Sequence, residues 1–457
     1  MWDTEHDVIV VGSGAGALTA ACRARDLGNE VLVVEKASFY GGTSASSGGG
    51  LWVPNNHLML AAGIADSEED ALVYLRGLTE GDVAPEVVEA YVRKAPAMLR
   101  YLEEQTHVAF EAMIHYADYY HASVLGDSFD TLGMPHIQTQ VMGFMGYTNQ
   151  EGAVLLSKAP GWWKVVFKLA LEYFFDIPGR MKGRRSRRLV MGNALVGRLR
   201  HSIDDRGVPV WLDSPVRELV QEEGRVVGVV VEQNGTKNRI GARKGVIIGA
   251  GGFEHSQVLR EKHLPGPTQA EWSAASPTNT GDLLSAATAI GAATHLMDEA
   301  WWGPTIRVEG EDRGRMLFTE RSMPGCILVN KLGSRFVNES VAYTTAVQAM
   351  YSGDNLPCYA IFDSRYRREY PFGPLLPGGM HLDWLQSSRI SKDLLTSSNS
   401  IRGLAEQLGV AQEGLAQTVE FFNGFAATGV DADYHRGENS YDKLYGDVRL
   451  GPNTCLA

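Results

Sequence analysis

Apolar residues near the start of the chain come in short unbroken runs separated by glycines and polar clusters. Val8 to Val11 is such a run, and its continuity predicts a strand buried on both faces. A helix is predicted next, from roughly Ala17 to Leu27, with Gly28 as the residue that ends it. Val31-Leu32-Val33-Val34 predicts a second buried strand, closed by Glu35. Further along, Val208 to Leu212, Val216 to Val220 and Val226 to Glu232 predict a β-meander, and Val246-Ile247-Ile248 a strand returning to the first sheet. Strands alternating with helices predict an α/β fold.

The loop between the first strand and helix reads Gly12-Ser13-Gly14-Ala15-Gly16-Ala17, a GxGxxA pattern. Gly12 permits the tight turn, Gly14 lets the backbone approach a pyrophosphate, and small Ala17 lets the helix pack closely on the sheet. Glu35 stands 21 residues after Gly14, where a carboxylate accepts hydrogen bonds from a ribose. A lone pattern of this kind is weak. Here strand, glycines, helix, strand and acid occur in order, which predicts a Rossmann-like dinucleotide site. Glu35 disfavours a 2′-phosphate, leaving the adenosine half of FAD or NAD.

Directly after Glu35-Lys36 comes Gly41-Gly42-Thr43-Ser44-Ala45-Ser46-Ser47-Gly48-Gly49-Gly50. Such a run can be a mobile linker. Its backbone amides and hydroxyls can also grip a long cofactor along its length, which FAD needs and NAD does not. The position beside the acid favours the second reading.

Glycine accounts for 51 of 457 residues, about 11% against a usual value near 7%. The excess clusters in loops and follows no collagen-like period. The length suits two or three domains, and 44% apolar with 21% charged residues excludes a disordered chain. A net charge of −12 argues against a nucleic-acid partner. Cys22, Cys326, Cys358 and Cys455 are far apart with no CxxC, so neither a metal site nor a disulfide framework is expected. The acidic start, Met1 to Asp7, runs straight into the first strand without a basic, apolar leader. A cytoplasmic protein is the expectation.

Three later stretches carry a resemblance. Val246-Ile247-Ile248-Gly249-Ala250-Gly251-Gly252-Phe253 follows the meander, and Asn279-Thr280-Gly281-Asp282 precedes an alanine-rich helix. Arg321-Ser322-Met323-Pro324-Gly325 leads into Ile327-Leu328-Val329-Asn330 and then Gly333-Ser334-Arg335-Phe336-Val337-Asn338-Glu339-Ser340, which reads as strand-turn-strand. From about residue 7 onward the sequence resembles the fumarate reductase/succinate dehydrogenase flavoprotein superfamily, and within it the 3-ketosteroid dehydrogenases. The resemblance implies an FAD-binding domain with an inserted α+β catalytic domain. We place the FAD-binding domain at 1–295, with a helical insertion at about 155–190, and the catalytic domain at 296–457. It implies that Gly12 to Ala17, Glu35, Lys36, Gly41, Gly42, Thr43, Ser44, Ser47, Gly48, Gly49, Val216, Ala250, Gly251, Gly252 and Asp282 hold FAD, with Val216 at the adenine. Histidyl-flavin members carry a histidine in the second loop; Thr43-Ser44 stand here, so FAD is expected to be non-covalent.

The superfamily's dicarboxylate enzymes use histidine and arginines, one arginine donating a proton. Arg321 matches that arginine, but the histidine element before it is missing and Asp298-Glu299-Ala300-Trp301-Trp302 stands there. The two tryptophans either flank a large apolar substrate or are ordinary core residues. In ketosteroid dehydrogenases hydride leaves for the flavin while a tyrosine takes a proton from the carbon beside the ketone. The resemblance implies Tyr343, shortly after the Arg335–Ser340 segment, as base, and Tyr119 in Tyr116-Ala117-Asp118-Tyr119-Tyr120 as its hydrogen-bonded helper. A 3-ketosteroid substrate, desaturated at C1–C2, and an external electron acceptor follow. A non-catalytic flavin-binding protein and a fumarate-reductase-like enoate reductase are the alternatives.

Trp162-Trp163-Lys164-Val165-Val166-Phe167-Lys168-Leu169-Ala170-Leu171-Glu172-Tyr173-Phe174-Phe175 is followed by Arg180, Lys182, Arg184, Arg185, Arg187 and Arg188. It is too short and interrupted to span a membrane. It suits either a flap over the active site or a helix lying in a lipid interface, giving peripheral membrane contact through 162–188. Met191 to Leu199 reads as a turn feeding a helix. The resemblance also implies a C-terminal glycine-rich segment against the flavin, and none is found after Gly378-Gly379. For this architecture the chain is expected to be about one closing segment short.

Overall fold

The structure is a computed structural model. It describes residues 1–114, 116–120, 136–138, 151, 160–182, 188–375, 377–378 and 394–456. Arg184, Arg185, Arg187 and Gly379 lie outside the described residues. The chain divides into two compact units. One combines Met1–Ile114, Gly133–Leu259 and Ala275–His295; the other combines His115–Leu132, Arg260–Ala274 and Leu296–Ala457.

The first unit is built on β1 (Thr4–Val11), α1 (Ala15–Asp26) and β2 (Val31–Val34), as the apolar runs predict. β1 lies at the centre of a six-stranded sheet, paired in parallel with β2 in the register Val8↔Val31 to Val11↔Val34. On its other side it pairs in parallel with the long strand Thr236–Ile248 (numbered β6 below). Val8 and Val10 point into one core with Leu18, Leu195 and Leu199; Ile9 and Val11 point into the other with Leu32, Val229 and Ile240. Burial on both faces is why the sequence of β1 does not alternate.

The meander differs from its prediction. Val210–Trp211 (β3) pairs in parallel with β2 at the far edge of the sheet. The antiparallel strands are Val216–Glu222 (β4), Arg225–Gln233 (β5) and β6, giving the order β3-β2-β1-β6-β5-β4. Two-residue turns join them, at Glu223-Gly224 with φ of 49° and 78° and at Asn234-Gly235 with 50° and 77°. Two successive positive φ values are the hairpin geometry whose twist matches the strands, and Asn-Gly is its strongest local signal.

The opposite side of the sheet from the meander's core carries α1 with Met191–Asp205 (α5 below) and Pro85–Gln105 (α3 below), whose Leu99 and Leu102 join the same core. Gly42–Ser46 (α2) is a single turn in the second glycine loop. Trp162–Phe175 forms the helix α4. Asp282–Ala289 (α6) begins at Gly281, whose φ of 75° favours glycine.

The second unit pairs Cys326–Val329 (β7) with Tyr359–Phe362 (β8), antiparallel. Tyr343–Tyr351 (α7) lies between them in sequence, and Ile401–Leu408 (α8) with Gln412–Thr428 (α9) covers Ile327, Val329 and Ile361. The predicted second strand through Arg335 to Ser340 is not a strand; only Arg335 bridges to Val329. The reason is electrostatic. Arg335 binds Glu339 at 2.8 Å and Asp431 at 2.9 Å, and fully buried Arg436 binds Glu339 at 3.0 Å. Glu339 also accepts the Leu328 amide at 3.1 Å, and Asn338 donates to Asp442 at 2.8 Å. Buried charges persist only when paired and hydrogen-bonded, so this segment spends its polar groups on side-chain partners and forms no sheet ladder.

Candidate active site

A cleft of about 400 Å³ opens in the first unit where β1, β2 and β6 end, lined by Val11, Val34, Ile247 and Ile248. Carboxyl ends of parallel strands are where open α/β sheets bind ligands. Gly12 has φ +99°, and a Cβ there would run into the Gly249 carbonyl, 2.7 Å from its carbon. A Cβ on Gly249 would in turn lie 2.8 Å from the Ala17 methyl. Only small residues fit this stack, which brings the start of α1 against the end of β6. Ser13, Gly14, Ala15, Gly16 and Ala17 line the cleft, and first-turn amides of a helix are unpaired within it and favour phosphate.

Glu35 is buried at the end of β2. Its carboxylate accepts Ser13 Oγ at 2.6 Å and the Ala37 amide at 2.9 Å, leaving lone pairs for a further donor. Lys36 Nζ donates to Asp282 at 2.9 Å and to Thr280 at 2.6 Å. Burial works against the Asp282 charge, but hydrogen bonds from Lys36 and Thr280 outweigh it and hold that carboxyl below its ordinary range. Gly42, Thr43, Ser44, Val216, Ala250, Gly251, Gly252 and Asp282 share the same wall. Ser44 Oγ accepts the Ala15 amide at 3.1 Å, and Thr43 Oγ1 accepts from the Ser276 amide at 2.9 Å and Asn279 Nδ2 at 3.1 Å.

Gly41, Ser47, Gly48 and Gly49 are not among the lining residues. Gly41 donates its amide to Ser13 Oγ at 2.9 Å, and Ser47 accepts the Gly192 amide at 3.1 Å. A Cβ on Gly49 would lie 2.6 Å from the Gly192 nitrogen. This half of the loop docks on the start of α5. Ser214, Thr278 and Asn279 are lining residues that sequence reasoning did not assign. Ile247 and Ile248, 38% and 45% exposed, are unusual for a central strand and offer apolar contact at its tip. Tight glycines, an acid at the second strand, helix amides and an apolar floor together fit FAD.

In the second unit Tyr343 is the first residue of α7 and is buried. Its hydroxyl accepts the Trp301 indole N–H at 2.8 Å. The Tyr119 ring packs edge-on against it, centroids 5.4 Å apart. Burial raises the Tyr343 phenol above its ordinary value, while hydrogen bonds from Trp301 and Tyr119 pull it back down. Tyr119 is raised most by burial, then by neighbouring phenols. Its hydroxyl hydrogen-bonds Tyr116 at 3.1 Å, and Tyr116 hydrogen-bonds Tyr445 at 3.0 Å. Tyr441 packs 5.0 Å from Tyr119. Tyr116, Tyr441 and Tyr445 were not assigned from sequence; the crowding of aromatics around 116–120 was the available signal.

Trp301 is 89% exposed, so it is not a core aromatic; Trp302 packs on Tyr351 at 5.5 Å. Arg321 is buried with Nη2 donating to the Val341 carbonyl at 2.6 Å and Nη1 to the Glu339 carbonyl. A guanidinium held this way by the main chain is not presented to a carboxylate substrate.

The profile of the family described as FAD binding domain matches residues 7–454. The chain is 36% identical over 490 residues to a 3-oxosteroid 1-dehydrogenase of Mycolicibacterium smegmatis, across 100% of this chain and 84% of that one. It is 34% identical to a 4-oxocyclohexanecarboxylate 2-dehydrogenase of Sinomonas cyclohexanicum, across 99% and 79%. The crystal structure of a 3-ketosteroid Δ1-dehydrogenase from Sterolibacterium denitrificans, in complex with 1,4-androstadiene-3,17-dione, superimposes with a TM-score of 0.92 at 42% identity, covering 99% of this chain and 85% of that one.

Proposed function

The chain belongs to the FAD-binding-domain family of flavoprotein oxidoreductases that includes the 3-oxosteroid 1-dehydrogenases, and from that premise we propose that it desaturates the C1–C2 bond of a 3-ketosteroid. FAD, when bound, supplies the two-electron acceptor for the hydride. We assign its binding to the first unit, through the residues of the cleft, and proton abstraction to the second. Tyr343 takes the proton from the carbon beside the ketone, and Tyr119 hydrogen-bonds it. An external acceptor reoxidises the enzyme.

The observation that carries this reading is the Tyr343 hydroxyl, buried beside Tyr119 and receiving the Trp301 N–H at 2.8 Å. A phenol with fixed donors is one whose anion is stabilised where it forms. The exposed Trp301 face gives an apolar ring system a surface to lie on, and the enclosed Arg321 disfavours the enoate-reductase alternative. The test is anaerobic bleaching of the yellow protein's visible spectrum by 4-androstene-3,17-dione, with 4-oxocyclohexanecarboxylate as competitor. Full bleaching by the steroid and none by the keto acid is expected; the reverse pattern would sink the steroid assignment. Acid should release the chromophore, since Thr43 stands where a covalent histidine would.

Trp301→Phe is expected to move the acidic limb of kcat/KM to higher pH, by about one unit, the worth of one hydrogen bond to a charged acceptor. The sign follows from the base acting as phenolate. Removing a donor that holds the phenol down raises its pKa, so a higher pH is needed for the same ionised fraction. An unshifted limb would mean that the indole leaves the base untouched.

No described helix is long and apolar enough to cross a membrane. On α4, however, Trp163, Phe167, Phe174 and Phe175 are 58–74% exposed, and 163, 167, 171 and 174 recur at helical spacing on one face. This exposed face favours the lipid-interface reading of 162–188, a peripheral membrane contact, over a covering flap. Co-flotation with anionic vesicles is expected, and Trp163→Ala/Phe167→Ala should weaken it several-fold; a wild-type protein that stays at the bottom of the gradient would remove the idea.

A further inference from the structure

One cluster of potential metal ligands lies among residues that do not line the cofactor cleft. His107 follows α3, and His201 with Asp205 sits one helical turn apart on α5. Their ligand atoms all fall within 4.8 Å of one another. His107 Nε2 is 2.5 Å from one Asp205 oxygen and His201 Nε2 is 3.7 Å from the other. The two imidazoles stack in parallel, centroids 3.9 Å apart with 8° between planes. Both rings therefore present the same nitrogen to one carboxylate.

The segment carrying His107 is fixed against α5. The His107 amide donates to Ser202 Oγ at 2.9 Å, Arg206 Nη2 to the Gln105 carbonyl at 2.5 Å, and Arg198 to the Ala109 carbonyl at 3.3 Å. Nearby charges are already matched. Arg206 is paired with Asp26 at 2.7 Å and Asp204 with Arg200 at 2.8 Å. This gathers three donors from two segments, two nitrogens and one oxygen, at a surface where water can fill the other positions.

We propose that His107, His201 and Asp205 form a surface site for a divalent transition ion, zinc in the first instance, that pins the end of α3 to α5. Two imidazoles and a carboxylate suit zinc, nickel or cobalt and not magnesium or calcium, which require oxygen donors. Binding releases the Nε2 proton that His107 shares with Asp205 and turns the two stacked rings so that their lone pairs converge on the ion beside one carboxylate oxygen. Its role is structural, since none of the three residues meets the cleft.

The experiment is calorimetric titration of the untagged, FAD-loaded protein with zinc chloride, repeated with magnesium chloride. One zinc per chain is expected, no magnesium heat, and a rise in thermal midpoint with zinc. His107→Ala and His201→Ala should each weaken binding by about tenfold or more and abolish the midpoint rise, with the visible spectrum of the flavin unchanged as evidence of folding. Zinc binding that survives both substitutions places the ion elsewhere and overturns the proposal. So does the absence of a binding isotherm, which would leave the cluster as an exposed hydrogen-bonded pair with a stacked neighbour.

Discussion

Tyr343→Phe is expected to lower turnover on a 3-ketosteroid by about 10²–10⁴-fold, the range carried by a positioned general base, with flavin content unchanged. The substitution removes only the hydroxyl that meets Trp301 Nε1. The ring remains to pack against Tyr119 and Phe318, at 5.4 and 5.1 Å, so folding should be preserved. Stopped-flow reduction separates the steps: the steroid should still bind, and bleaching of the flavin should slow. Tyr119→Phe should have a smaller effect, because it removes one donor to the base and not the base itself. A Tyr343→Phe enzyme that bleaches at the wild-type rate would transfer the role to another group.

The second large effect belongs to the cofactor end. Gly12→Ala should yield protein purified with little or no FAD. Two penalties act together. A residue with a side chain resists φ of +99°, and its Cβ meets the Gly249 carbonyl, a backbone group that no rotamer change can move aside. Relief requires shifting β6 away from α1, which opens the wall where both meet the cleft. Losing a tightly bound ligand also lowers apparent stability by mass action, so the thermal midpoint should fall further than the strain alone requires. The ratio of visible to ultraviolet absorbance, and the midpoint with and without added FAD, are the measurements. Full flavin occupancy in Gly12→Ala would mean that the close approach is dispensable.

What the sequence made legible was local. A four-residue apolar run, glycines at fixed offsets and an acid at the next strand's end all sit within thirty-five residues, and each follows from backbone geometry. The third strand of the meander and the edge position of Val210 were less accessible. The strand Val210–Trp211 makes only two ladder pairs, with Val33 and Val34, and its choice of β2 over Val216 depends on where the chain returns, not on its own residues. The Arg335–Ser340 stretch was misread as a strand for a related reason. Its apolar positions, Phe336 and Val337, suggest one, but the flanking Arg335, Asn338 and Glu339 find partners at Asp431, Asp442 and Arg436, about a hundred positions away. Periodicity contains no trace of such pairings. The meeting of Tyr119 with Tyr343 came from the resemblance, whereas the Trp301 donor and the Tyr116–Tyr445 contact are products of tertiary packing alone.

The buried charge network has a consequence for the order in which the protein comes into being. Arg335 and Glu339 leave the ribosome well before Asp431 and Arg436, which supply the remaining partners across 96 or 97 positions. Until then Arg335 and Glu339 have only one another as charged partners, and closing the core around β7 would enclose the pair without the hydrogen bonds that Asp431 and Arg436 supply. The network of the second unit is therefore complete only once residues 431–442 have emerged. The first unit faces a milder version of the same delay, because β1 needs β6 and cannot complete its sheet before residue 248. Synthesis from the amino end thus supplies every strand of the six-stranded sheet before the last partners of the charge network.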